Sequence, residues 1–242
     1  MDSGFYAACA GLVARSQSLD LAANNLANAS TPGYRAQQET FRQLLSGPTA
    51  VSSLNRAVNS YGILGNPLTD FAQGNLQKTA NPLDFAIEGT AFFAVRTSAG
   101  IRYSRDGNFH LGGDRTLLTS AGDTVLGDQG PIRLPEGEVS VSSDGTISVG
   151  GALAGKLQLA EFAAGTEFTP AGNAYYTAPV AAAKPSQTSQ VRQGMLEDSN
   201  VQPVAAAVSL IAIQRHAESL QRALSVFHNQ FNRIAVEDLP RV

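Results

Sequence analysis

The sequence predicts an α+β fold: long N- and C-terminal helices pairing as a coiled coil, with a central mostly antiparallel β domain. Three observations predict it. Near the N-terminus, Phe5, Cys9, Leu12, Ser16, Leu19, Ala23 and Leu26 step by alternating fours and threes. Near the C-terminus, Leu210, Ile213, Ala217, Leu220, Leu224, Phe227, Phe231 and Ile234 do the same. Such spacing lays an apolar stripe along one side of a helix and suits helix-on-helix packing. Between the two ends, short apolar runs are separated by Gly-rich turns, the pattern of antiparallel strands. Two such ends around a β middle suggest a chain that packs against copies of itself rather than one built around a pocket.

The first helix reads as residues 3–28. Asn28-Ala29-Ser30-Thr31-Pro32-Gly33 stops it, because Pro disfavours helical geometry in the residue before it and Gly accepts left-handed geometry. Residues 34–80 read as a connector, in which Phe41, Leu44 and Leu45 suit a short helix and Gly47-Pro48 starts a series of turns. Residues 81–190 form the β-rich middle domain. Ala91-Phe92-Phe93-Ala94-Val95 is a buried strand, with Ile101-Arg102-Tyr103 as its partner. The clearest hairpin sets Val139 and Val141 against Ile147 and Val149, around Asp144-Gly145. Residues 191–242 hold a return segment and the last helix, which runs from about 203 to 236. Ser199 or Asn200 caps it and Pro203 lies in its first turn.

Composition excludes several function classes. The net charge is −3 and no Lys/Arg cluster is present, which gives nucleic acid no footing. Charged residues are 15% of the 242, against about 25% in typical domains. A low charge suits surfaces buried in an assembly, and equally a small β domain. Cys9, the single cysteine, cannot form an intrachain disulfide and reads as a small buried hydrophobe. Residues 1–15 lack the basic start and continuous apolar core of a secretion signal. The longest mostly apolar run, Ala205–Ile213, falls well short of the ~20 residues that span a bilayer.

No catalytic, cofactor or metal residues are assigned. The three histidines, His110, His216 and His228, show no ligand spacing and read as surface or interface residues. Asp106, Asp114, Asp123, Asp128 and Asp144 each neighbour a glycine, but without the spacing and closing Glu of a calcium loop; they read as turn residues.

The run Leu21-Ala22-Ala23-Asn24-Asn25-Leu26-Ala27-Asn28-Ala29-Ser30-Thr31-Pro32-Gly33-Tyr34-Arg35 resembles the N-terminal signature of the bacterial flagellar rod and hook proteins. Three more segments are similar to that family. They are Gly74–Gly89 with Phe92-Phe93, Tyr103–Phe109 with Val125-Leu126-Gly127, and Glu197–Val204 followed by Gln214-Arg215. The chain departs from the family at Gly89-Thr90-Ala91, where Gly-Asp-Gly is common. It departs again at His216-Ala217, where an aromatic is usual, and at Ala205, Ala206 and Ala207, where acidic residues are usual.

The resemblance implies a structural subunit of the basal-body rod, of proximal-rod type in preference to distal-rod or hook type. It implies a place in the periplasmic rod and export by the flagellar type III apparatus without a cleaved signal. The implied partners are other copies of the chain and other axial proteins, with no membrane-embedded part. The expected assembly interface is Phe5, Leu12, Leu19, Asn24, Asn25, Leu26, Asn28, Leu210, Ile213, Leu220, Leu224, Phe227, Phe231 and Ile234. For the three asparagines two readings stand open: capping of the first helix within one subunit, or contact with a neighbour. The rival class is an enzyme or a ligand-binding β domain with helical dimerisation ends, which requires a pocket of convergent polar groups.

Overall fold

The structure is a computed structural model that describes residues 2–42, 63–64, 67–163, 165–186 and 188–237. The chain forms two compact units. One comprises Met1–Ala27, Gln37–Asp70 and Gln202–Val242; the other comprises Asn28–Ala36 and Phe71–Val201.

The β unit is organised around the strand Phe92–Thr97. Gly100–Ser104 pairs along one edge of it, with Val95 opposite Arg102. Its other edge is shared: Thr124–Gly127 pairs at Val95 and Arg96, and Leu159–Glu161 pairs at Phe92 and Phe93. Every pairing is antiparallel. The strand's first four residues, Phe92 to Val95, are all apolar because both faces are covered there. Phe93 enters one core with Phe85, Ile87, Phe109, Leu117, Val125 and Ile147, and Val95, two residues on, is buried as well. Phe92 and Ala94 enter a second with Tyr103, Leu126 and Tyr176. Successive strand residues point to opposite faces, so a doubly covered strand loses the alternating pattern.

The hairpin around Asp144-Gly145 forms in the predicted register, Val139 opposite Val149 and Val141 opposite Ile147. Gly145 takes φ +83°, which glycine accepts without strain. The return segment carries strands as well: Gln190–Gln193 pairs with Phe85–Glu88, and Met195–Glu197 with Leu76–Lys78.

Three buried charges lie where the β unit's chain segments meet. Arg35 Nη2 donates to Glu197 Oε1 at 2.6 Å and Arg105 Nη1 to Glu197 Oε2 at 3.3 Å. Glu197 Oε1 also accepts the Gly74 N–H at 2.8 Å. Arg105 donates through Nη2 to the Gly89 carbonyl at 2.7 Å and lies over the Phe92 ring, 4.7 Å from its centre. All three charged side chains are at most 3% exposed. Burial, reinforced by the neighbouring Arg35 charge, pulls Arg105 down to about 10, while Glu197 opposes that shift.

The other unit holds the N-terminal helix, Asp2–Ala27, and the C-terminal helix, Pro203–Glu237. Pro203 is the first helical residue, where its missing N–H costs nothing. Neither Ser199 nor Asn200 caps this helix. The helix starts later, and Ala206 N–H bonds to the Gln202 carbonyl at 2.9 Å. Phe41–Arg42 is a strand paired with Ile63–Leu64, not a helix; Leu44, Leu45, Gly47 and Pro48 lie outside the described residues.

The expected coiled coil is not a feature of this fold, although helices plus an antiparallel β unit do make it α+β. The two helices lie against each other, but the N-terminal one does not present a heptad seam. Ser16 and Ala23, both on the expected stripe, are exposed, while the buried side chain is Ser18, which lies off it. Gly11, Ala14 and Ala22, small residues beside Ser18, are half-buried just as Leu12, Leu19 and Leu26 of the stripe are. A seam of knobs and holes needs bulky apolar groups at its repeating positions. Spacing alone reproduced the period without the volume. Small residues permit close approach instead: a Cβ on Gly11 would stand 3.6 Å from Leu220 Cδ1.

Candidate assembly surface

The expected interface residues fall into three groups. Leu12, Leu19, Leu26, Leu210, Ile213, Leu220 and Leu224 are half-buried on the two helices, and none is fully covered. Asn24 is exposed, whereas Asn25 and Asn28 are half-buried. Phe5, Phe227, Phe231 and Ile234 lie on the helical backbone, with side chains outside the described residues.

Asn25 bonds backbone groups of its own chain, at Gln37 rather than at the end of its helix. Its Nδ2 donates to the Gln37 carbonyl at 2.7 Å, and its Oδ1 accepts the Gln37 N–H at 2.9 Å. The side-chain amide therefore does for Gln37 what a neighbouring strand would do. Asn28 closes the turn after the helix: its carbonyl accepts the Thr31 N–H at 3.1 Å and its Oδ1 the Thr31 hydroxyl at 3.3 Å. Gly33 follows with φ +68°.

The C-terminal helix has a second apolar face beyond the expected stripe. Val204, Val208 and Ile211, four and three residues apart, share one side of it and are 79%, 63% and 52% exposed. From Pro203 to Gln214 the helix carries no charged residue. On the N-terminal helix Val13 is likewise exposed. Yet no helix among the described residues is long and apolar enough to cross a membrane. His110 and His216 are exposed, and among the described residues no group of His, Cys, Asp and Glu is arranged to hold a metal ion.

Comparison with known proteins gives three family matches along the chain. Residues 5–35 match the family described as flagella basal body rod protein. Residues 86–149 match the flagellar hook protein FlgE/F/G D1 domain, and residues 192–233 the flagellar basal body rod FlgEFG protein C-terminal. The flagellar basal-body rod protein FlgF of Caulobacter vibrioides is 35% identical over 249 residues, covering 100% of both chains. That of Salmonella typhimurium is 34% identical, over 93% of this chain and 94% of its own. The chain belongs to the flagellar basal-body rod protein family, FlgF type. It is a structural rod subunit of the flagellum and not an enzyme. The FlgG protein of Bacillus subtilis is similar at a lower level, 29% identical over 91% of this chain and 93% of its own.

For a rod protein of this kind, the interface expected from helix periodicity omits Arg35, Arg105, Glu197 and Asn200. Each sits inside one of the segments that carry the family resemblance. For Arg35, Arg105 and Glu197, a charge inside such a segment, in a chain with only 15% charged residues, was the available signal. Asn200 Oδ1 accepts the Ala36 N–H at 2.7 Å, and its Nδ2 donates to the Ala72 carbonyl at 3.1 Å.

Proposed function

We propose that this rod subunit assembles through its two terminal helices, against other copies of itself and other axial proteins of the flagellum. The observation that carries the reading is the surplus of apolar helix surface. After the helices have packed on each other, Leu210, Ile213, Leu220 and Leu224 are only half-covered, and Val204, Val208 and Ile211 stand open. Covering an exposed Val or Ile is worth roughly 1.5–3 kcal/mol per side chain, so these three alone favour association by several kcal/mol. A lone amphipathic helix is marginal in water and gains most of its stability from packing. The free subunit therefore keeps its ends loosely ordered and completes them on assembly. Loose ends suit a chain that is threaded through the type III export apparatus without a cleaved signal, to a place in the periplasmic part of the basal body.

The test is Leu224→Asp expressed in place of the native chain. A charge at this half-buried position should prevent incorporation into rods and abolish motility, while purified protein keeps the near-ultraviolet signal of the buried Tyr103, Tyr175 and Tyr176. Normal rods and swimming with that variant would overturn the proposal.

A further inference from the structure

The chain passes between its two units four times, after Ala27, Ala36, Asp70 and Val201. The β-unit ends of these crossings are residues 28–36, 71–78 and 195–201, and they lie side by side. Gly33 N–H donates to the Glu197 carbonyl at 2.7 Å and Asp198 N–H to the Asn75 carbonyl at 2.8 Å. Arg35 N–H donates to the Tyr176 hydroxyl at 3.1 Å. Leu76 pairs with Glu197 in the short ladder, and Asn200 joins Ala36 to Ala72. Glu197 bonds to each of these segments, through its carboxylate to Arg35 and Gly74 and through its backbone to Gly33.

We propose that Glu197 is a clasp that holds the stems of both terminal helices together in the β unit before the helices themselves order. The proposal rests on the reading above, in which the helices complete on assembly. Arg35 and Glu197 are 162 residues apart in sequence. Bringing such distant points together costs loop-closure entropy, and here the folding of the β unit meets that cost. The helices then start from neighbouring stems and need not search for each other. The clasp is polar and directional, which fixes register: a one-residue slip of the Met195–Glu197 strand would turn the carboxylate to the other face. It is also charge-unbalanced. Two guanidinium groups share one carboxylate, and Arg35 Nε, Arg35 Nη1 and Arg105 Nε have no hydrogen-bond partner among the described residues. One anion thus holds two cations, and its loss leaves both buried and unpaired.

The experiment is amide hydrogen exchange on the dilute full-length monomer. In the unaltered chain, amides of Gly33, Ala36, Gly74 and Asp198 should be protected while the terminal helices exchange freely. Glu197→Gln keeps the shape and removes the charge. It should raise exchange at all of these amides by roughly ten- to hundredfold, the effect of losing a charged hydrogen-bond partner, with Phe93, Val95 and Val125 still protected. Should Glu197→Gln unfold those core strands too, Arg35→Gln decides. It leaves the balanced Arg105–Glu197 pair and should free residues 33–36 alone, with Gly74 held. The clasp is overturned if these amides exchange as freely as the helices in the unaltered chain, or if both variants leave them unchanged. Strong protection of both helices in the monomer would instead overturn the reading on which the clasp rests.

Discussion

Replacing Gly33 by alanine tests how the chain leaves the first helix. Gly33 sits at φ +68°, a conformation that costs an alanine about 1–2 kcal/mol. Its added Cβ would lie 2.8 Å from the Arg105 carbonyl oxygen, and closer still to the Arg105 carbonyl carbon and the Asp106 nitrogen. These are backbone atoms of the motif that holds Arg105, so they cannot swing aside as a side-chain tip would. Overpacking of this kind costs roughly 1–3 kcal/mol. Together the two effects predict a loss of about 2–5 kcal/mol, set against a typical total of 5–15 kcal/mol. Three other glycines separate the contributions. Gly113 has ordinary φ and open space, so Gly113→Ala should be near neutral. Gly100 has φ +112° and open space, so Gly100→Ala reports strain alone. Gly107 has ordinary φ, but its Cβ would meet the Phe85 carbonyl oxygen, so Gly107→Ala reports the clash. Urea unfolding followed through the buried tyrosines gives the four midpoints, compared at constant m. A Gly33→Ala midpoint within about 0.5 kcal/mol of the unaltered chain would refute the reasoning. So would a Gly100→Ala loss as large as that of Gly33→Ala.

Asn25→Ala removes both bonds to Gln37 and should cost about 1–2 kcal/mol, with faster amide exchange at Gln37 and unchanged exchange in the β unit. Asn25→Asp, which accepts the Gln37 N–H and cannot donate to its carbonyl, should fall between. Alkaline pH should destabilise the β unit. Burial raises Tyr175 and Tyr176 to about 12 from 10.0, so these phenols stay protonated when folded and ionise near 10 when unfolded. Their stabilising contribution is complete below pH 10 and is lost as pH rises from 10 to 12. Arg105 acts in the opposite sense, because burial lowers it from its ordinary value to about 10 and its folded form gains over that window. Two tyrosines against one arginine leave a net fall, read as urea midpoints at pH 9, 10 and 11. A flat profile would count against the burial of both phenols.

Local chemistry explains why some elements were legible in the sequence and others were not. The hairpin was legible because Asp144-Gly145 sets the turn and four alternating apolar residues set the face, all within eleven residues. The strand at Phe92 was legible as a strand, but its two-sided burial depends on partners as distant as Leu159 and Tyr176. The helices were legible as helices, whereas their manner of packing was not. Periodicity counts positions and is blind to volume, so Ser16 and Ala23 passed for seam residues although they are exposed, while Ser18, off the stripe, is buried. Ser199 and Asn200 resembled helix caps because capping residues and turn residues are the same few types. Asn200 spends its hydrogen bonds on Ala36 and Ala72 instead.

The four segments that carry the family resemblance lie far apart in the sequence and meet in one place. Tyr34-Arg35 ends the first, Gly74 opens the second, Arg105 sits in the third, and Glu197 and Asn200 open the fourth. In the β unit these residues are joined by direct hydrogen bonds, with Glu197 at their centre. The helix faces proposed for assembly are made of Ala, Val, Leu and Ile, which many sequences supply and which tolerate exchange for one another while volume is kept. A buried carboxylate between two guanidinium groups tolerates almost none, since removing it strands both cations. The residues bonded around Glu197 are therefore not those proposed to join subunits, although both kinds lie in segments that carry the resemblance. In the proposed clasp they hold together, inside the β unit, the segments from which the chain leaves for the helices.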